Sequence, residues 1–311
     1  MLRRLLPLVI AIIGLLVLFR CLYSNFLEPH NLLDIVQQIS INAILAFGMT
    51  MVILIGGIDL SVGALLALAG TVTTYALIPS GWHAGLPLSL VAGFGVAALF
   101  GLFHGVAAAK TDMPPFIITL GTMLVARGLA LGFNEGRPMP IPRNESFLLA
   151  IGNGLIGDTL PVPVIIMLSV YVLCAATLHF TVFGIHLYAI GNSRLAAIYS
   201  GIRVVRCEIV VYLMASLLAA LAGLIQTSQL LNAEPDAGQG FELNAIAAAV
   251  VGGASLRGGR GAMTGTLFGA IIIGILNKGL NQAHVHFSYQ SIIKGAVILA
   301  AVGIDSWKKK R

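Results

Sequence analysis

The sequence predicts an all-α integral membrane protein with about ten spanning helices, and three observations predict it. Hydrophobic residues make up 58% of the chain and charged residues only 10%, at a mean hydropathy of +0.96, whereas soluble domains carry about 25% charged residues. Windows of the roughly 20 apolar residues that a helix needs to cross the hydrocarbon recur at 5–23, 34–55, 60–78, 88–109, 115–133, 162–183, 207–231, 243–256, 262–280 and 288–306. Charge alternates with the intervening loops. Ten crossings from a cytoplasmic N-terminus put Arg3, Arg4, Lys110, Arg194, Arg203, Arg206, Arg257, Arg260 and the terminal Lys308, Lys309, Lys310 and Arg311 on one side, the positive-inside pattern. Glu28, Asp34, Glu135, Glu145, Asp158, Glu234, Asp236 and Glu242 gather on the other. Both termini are then cytoplasmic, and the whole of 1–311 is one transmembrane domain.

The first window resembles a signal peptide, but Arg20-Cys21-Leu22-Tyr23 offers no small-x-small cleavage site, so it is kept as a span. The second carries Gln38 and Asn42 four residues apart, on one helix face suited to a polar passage or to interhelical hydrogen bonds. Between the second and third, Gly56-Gly57-Ile58-Asp59-Leu60-Ser61-Val62-Gly63 interrupts apolar sequence, and a bilayer tolerates broken helix only where protein or water satisfies it. A carboxylate at mid-helix in a membrane costs about 2.5–3.5 kcal/mol on the insertion scale, yet at a helix N-terminus it accepts free N–H groups and suits the dipole. Asp59 therefore reads either as the cap of the third span or as a gate on a solute route, and the two roles are compatible.

Further along, Thr119 and Thr122 share a face of the fifth window, and Arg127 lies deep without a sequence partner, able to snorkel outward. The 184–206 stretch before the seventh window is a long basic segment with helix formers between Gly191 and Gly201, able to present a short cytoplasmic helix to a partner. A second break, Gly252-Gly253-Ala254-Ser255-Leu256-Arg257-Gly258-Gly259, opens the 252–261 region with the same Gly-Gly-x-x-Leu-x-x-Gly pattern as the first. Interrupted segments point to a transport route. Glycine pairs at four-residue spacing, Gly101/Gly105, Gly128/Gly132 and Gly261/Gly265/Gly269, predict close helix seams inside one subunit, with the last stripe the best candidate for a seam between subunits.

Several chemistries find no support in the sequence. Cys21, Cys174 and Cys207 form no close pair, and His284 and His286 lack a third ligand, so no disulfide framework or metal site is expected. No phosphate loop, nucleophile elbow or zinc helix occurs. A pump built on this chain draws its energy from elsewhere. The net charge of +6 has no interleaved aromatics and does not indicate nucleic acid.

The Gly56–Gly63 run, with Gly48-Met49-Thr50 before it, resembles the signature of ribose-type permeases of bacterial ABC importers, and nearly the whole chain fits. Pro115-Phe116-Ile117-Ile118-Thr119-Leu120-Gly121-Thr122-Met123 and the late run from Val250 to Thr266 are similar to further motifs of that family. The resemblance implies a permease that moves a monosaccharide inward across the inner membrane by alternating access, as a homodimer or heterodimer set among lipids. It implies a cytoplasmic ATPase pair that holds ATP and Mg, no cofactor in this chain, and an extracytoplasmic sugar-binding protein. On that basis Asn42, Asp59, Ser61 and Thr119 are expected near the passage. Gly191, Asn192, Arg194, Ala196, Ala197 and Gly201 are expected in the element that couples to the ATPase, where the chain departs from the family's usual Gly-Gly-Asn-Pro-Glu-Ala-Ala-Arg by losing the acid and moving the base. Autoinducer-sugar, nucleoside, polyol and branched-chain amino-acid permeases are the competing readings within the superfamily. An ion-coupled secondary transporter, which would need paired ionisable groups at midplane, is the competitor outside it.

Overall fold

The computed structural model describes residues 2–157 and 159–308. Asp158, Lys309, Lys310 and Arg311, which the charge pattern used, lie outside the described residues, as do the side chains of Arg3, Arg4 and Lys308. The described residues are mostly helical. Among the described residues seven helices are long and apolar enough to span a membrane: α1 (Leu2–Leu22), α2 (Pro29–Leu54), α4 (Leu86–Lys110), α5 (Pro115–Gly132), α7 (Val162–Phe180), α10 (Val204–Leu230) and α12 (Met263–Gln282). Two more apolar helices are short, α3 (Val62–Leu77) and α11 (Phe241–Val251), and α13 (Phe287–Lys308) ends the described chain. At 1.5 Å per residue, α3 covers about 24 Å and α11 about 16 Å, less than the roughly 30 Å of hydrocarbon. Both fall short because each adjoins one of the glycine breaks.

The breaks are built the same way. Gly56, at φ +83°, follows the last turn of α2. Its N–H donates to Ile53 O and that of Gly57 to Val52 O, both at 2.9 Å. Gly253, at φ +97°, ends α11 with its own N–H on Val250 O and that of Ala254 on Ala249 O. Each is a Schellman stop, whose left-handed residue favours glycine. The shared Gly-Gly pattern thus records two helix stops, although the left-handed position is the first glycine in one and the second in the other.

Helix α2 is the axis of the core, packed by α10, α11, α12 and α7, and everything from Ile39 to Leu54 on it is buried. Glycines admit the close approaches. A Cβ on Gly101 or Gly105 would meet the α10 backbone at Leu213 or Ile209, one on Gly269 would meet α11 at Ala248, and one on Gly265 would meet Gly252 just past the end of α11. These are seams inside the subunit, the 265–269 pair included. Gly128 and Gly132 differ from expectation, having nothing of the described chain within 4 Å of a built Cβ.

The segment expected to hold one short helix folds as two, α8 (Val182–Asn192) and α9 (Arg194–Tyr199), hinged at Ser193, whose hydroxyl accepts from Ala196 N and caps α9. Between α5 and α7 lie a short helix α6 (Ser146–Asn153) and a two-residue ribbon β1 (Met139–Pro140), paired antiparallel with β4 (Asn232–Ala233); β2 (Leu155–Ile156) pairs β3 (Leu160–Pro161). Residues 283–286 form the turn from α12 to α13, with neither histidine in a strand. The loops sort into two ends. One carries Lys110, Arg194, Arg203, Arg206, Arg257 and Arg260, the other Glu28, Asp34, Glu135, Glu145, Glu234, Asp236 and Glu242; they are the basic end and the acidic end below.

Candidate functional site

At the acidic end a cavity of about 560 Å³ opens between three helices that each turn one polar face towards it. From α2 come Asn31, Asp34, Gln37, Gln38 and Ile41, a stripe at helical spacing. Gln226 and Gln229 come from α10, and Lys278, Asn281 and Gln282 from α12. Asn25 and Phe241 complete the lining. Lys278 Nζ donates to Asp34 Oδ2 at 2.8 Å, joining α12 to α2, and Gln282 Nε2 donates to Asn25 Oδ1 at 2.9 Å.

Below the cavity α2 carries Asn42, 2% exposed, whose Nδ2 turns back to Gln38 O at 3.2 Å while its Oδ1 has no partner among the described residues. Beyond Asn42 α2 is buried to its end, and its polar side chain there, Thr50, bonds Thr266 of α12 at 2.7 Å.

The other sequence-selected passage residues meet at the first break. Asp59 is fully buried. Its Oδ1 accepts from Ser61 N at 2.9 Å and from Ser61 Oγ at 2.6 Å, while Oδ2 stands 4.0 Å from His104 Nδ1 on α4. The N-cap position of α3 is Ser61 itself, so Asp59 fastens the turn that precedes the helix instead of capping it. Those two hydrogen bonds hold the Asp59 side chain in place and offset part of the cost of setting an acid among apolar helices.

Thr119 ties the same turn to α5, accepting from Leu60 N at 3.1 Å and lying 3.2 Å from Ile58 O as donor. Thr122, one turn on, bonds His104 Nε2 at 2.6 Å. Tyr212, on α10, puts its hydroxyl where a Cβ on Gly57 would be, 2.4 Å away. Asp59, Ser61 and Thr119 are thus brought together, and Asn42 is not among them.

Both breaks and α8 converge at the basic end. Gly259 N donates to Leu54 O at 2.9 Å, joining the second break to the end of α2. A Cβ on Gly191 would lie 1.8 Å from Leu54 O and 2.3 Å from Gly259 N, so this contact admits no side chain. Tyr188 Oη donates to Gly261 O at 2.8 Å. Asn192 folds back onto Tyr188 O at 2.9 Å.

Arg194 is held inside the subunit by Glu208 of α10. Its Nε donates to Oε1 at 2.9 Å and Nη2 to Oε2 at 3.3 Å, and these hydrogen bonds raise the guanidinium pKa above its ordinary value. Ala197 is buried, Ala196 and Gly201 are exposed, and α9 presents Leu195, Ile198 and Tyr199 outward, Tyr199 at 88%. Arg127, unpaired in the sequence, reaches the α10–α11 loop and donates to Pro235 O and Ala237 O.

Sequence reasoning found the break but missed most of the cavity, together with His104, Glu208 and Tyr212. The cavity had a signal: polar residues at i, i+3 and i+4 near the acidic ends of three otherwise apolar helices. His104 and Tyr212 had none, since only the fold aims them at Asp59.

Comparison with known proteins agrees with this architecture. Residues 31–302 match the family described as branched-chain amino acid transport system / permease component. The ribose import permease protein RbsC of Bacillus subtilis is 45% identical over 295 residues, covering 94% of this chain and 90% of that protein. RbsC of Escherichia coli K12 is 43% identical over 304 residues, 96% of this chain and 93% of that one. The D-allose transport system permease protein AlsC of E. coli is 38% identical over 283 residues, 90% and 84%. No solved structure matches. With the family matched over residues 31–302 and relatives at this level, the chain belongs to the permease family of ABC importers, as a ribose-type monosaccharide permease subunit.

Proposed function

We propose that the chain carries a ribose-like pentose or a hexose from the cavity at the acidic end, past Asn42 on α2, to a gate at the first break formed by Asp59, Ser61 and Thr119. The observation that supports this reading is the asymmetry of α2, which opens on an amide-lined cavity of about 560 Å³ at one end and at the other is tied by Leu54 to Gly191 and Gly259, beside a smaller hollow of about 400 Å³ lined by Gly56, Gly57, Arg194 and Glu208. Alternating access requires one end shut while the other is open.

As an ABC import permease it works with an ATPase and a substrate-binding protein. In this reading the seven long helices, the two short ones and α13 make ten crossings, and the basic end faces the cytoplasm with both termini. Residues 184–206 form the coupling segment, with Gly191, Asn192, Arg194, Ala196, Ala197 and Gly201 seating α9 against an ATPase that holds ATP and Mg. The binding protein docks at the acidic end, and a second permease copy or a paralogue completes the membrane unit. Ribose is the first candidate because the relatives at 43–45% identity are named ribose import permeases.

The test is reconstitution of the permease with its ATPase and binding protein in vesicles, with the binding protein screened for thermal stabilisation by pentoses, hexoses, polyols and nucleosides. ATP-dependent uptake of one stabilising monosaccharide supports the reading. Stabilisation by a nucleoside or an autoinducer sugar in place of a monosaccharide overturns the substrate class, and uptake driven by an ion gradient without ATP overturns the mechanism.

A further inference from the structure

We infer that the acidic-end cavity is itself a binding site for a neutral polyhydroxylated ligand, so that the permease reads its sugar a second time after the binding protein has released it. The inference rests on the reading of that cavity as the mouth of the solute route.

The lining selects the ligand chemistry. Its polar groups are mainly carboxamides, and each carboxamide offers a donor and an acceptor a fixed distance apart. A sugar hydroxyl also donates and accepts, so vicinal hydroxyls match such a wall, whereas an apolar solute would leave it unpaired at about 1–3 kcal/mol per buried group. The charges cancel. Lys278 is bound to Asp34 at 2.8 Å, leaving no surplus positive charge for a phosphate or carboxylate and no surplus negative charge for an amine.

The wall is also built in advance. Asn25 is the hub, accepting from Asn31 Nδ2 at 2.8 Å through its backbone oxygen and from Gln282 Nε2 at 2.9 Å through its side chain. Gln282 Oε1 and Gln229 Nε2 are shut from solvent with no partner among the described residues. Phe241 supplies one flat apolar surface beside them. The volume of about 560 Å³ falls within the roughly 300–1,000 Å³ of small-molecule sites.

The experiment uses the intact permease–ATPase complex in lipid nanodiscs without its binding protein, titrated calorimetrically with D-ribose, D-xylose, D-glucose and D-fructose and with ribose 5-phosphate. At least one neutral sugar is expected to bind with a Kd of about 1–10 mM, and the phosphate ester not to bind at about 100 mM. Gln226→Ala, which removes one wall amide and leaves the ion pair intact, weakens binding about fivefold. Asp34→Asn leaves Lys278 unpaired and moves the preference towards ribose 5-phosphate, a change of selectivity that a purely structural role for Asp34 would not produce.

Absence of binding by every neutral sugar, in a complex that takes up a monosaccharide once the binding protein is added, overturns the site while the transport reading stands. Equal binding of the phosphate ester by the unaltered complex overturns the neutral-ligand assignment. If the complete transporter moves no monosaccharide, the transport reading fails and the site falls with it.

Discussion

The two ends of the bundle are held by different kinds of contact. At the acidic end long polar side chains line a cavity of about 560 Å³, and their ion pair, Lys278–Asp34, is 21% and 39% exposed. At the basic end backbone meets backbone, through Leu54, Gly191 and Gly259, with no side chain between. Flexible side chains can re-pair around a passing solute at little cost. A seam of peptide groups opens only when whole segments move apart, and that motion needs an external source of work. In the proposed reading solute recognition belongs to the first end and the energised step to the second.

The largest expected effect comes from filling that seam. Gly191→Ala puts a methyl 1.8 Å from Leu54 O and 2.3 Å from Gly259 N, and neither backbone atom can rotate away as a side chain would, so the cost exceeds the roughly 1–3 kcal/mol of ordinary overpacking. Uptake per membrane-inserted permease should fall by about two orders of magnitude. Gly121→Ala on α5, where nothing lies within 4 Å, is the matched control and should transport normally. Equal behaviour of the two variants would remove the distinction between the ends.

The same contrast explains what could be read from the chain alone. Each long span was legible because its apolar length is a local property, and both breaks were legible because glycine, acid and serine stand out in apolar sequence. The meeting of Gly191 with Leu54 and Gly259 joins segments far apart in the chain, and no residue among them signals its partners. The hinge at Ser193 was hidden for a different reason. Serine inside an alanine-rich run reads as a tolerated helix residue until its side chain is seen to cap α9.

Next in size is the tie between α9 and α10. Glu208 is 9% exposed on its side chain and Arg194 47%, so removing one partner costs less than the roughly 3–5 kcal/mol of a fully buried pair. Glu208 and Tyr212 lie four residues apart on one face of α10, which connects the α9 contact to the glycine break by a rigid turn. Arg194→Glu and Glu208→Arg should each lower the sugar carried per ATP hydrolysed about tenfold, a coupling change of roughly 1.4 kcal/mol. The double swap should recover most of it. Failure of the swap to restore coupling, with both singles impaired, would assign the pair to folding alone.

A smaller effect separates the charge of Asp59 from its geometry. Asparagine retains Oδ1 as acceptor for Ser61 N and Ser61 Oγ, whereas alanine removes it and frees the turn before α3. Asp59→Ala should cut uptake about tenfold and Asp59→Asn about threefold, since the neutral acceptor keeps part of each hydrogen bond. Wild-type uptake by Asp59→Ala at normal membrane levels would exclude the break from the transport step.

The smallest expected change tests how tightly the basic end is closed. Tyr212 is 1% exposed and its hydroxyl has no partner among the described residues, although Asp59 and His104 are close by. An unpaired buried hydroxyl costs about 1–3 kcal/mol, so Tyr212→Phe removes a penalty and should leave the complex equally stable or more stable by up to about 1 kcal/mol. Its thermal midpoint should hold or rise by a degree or two. A fall of similar size would mean that the hydroxyl is satisfied through a bridging water, which would place solvent behind the glycine seam. The basic end would then be a wet hinge, ready to part, and its contrast with the acidic end would be one of degree.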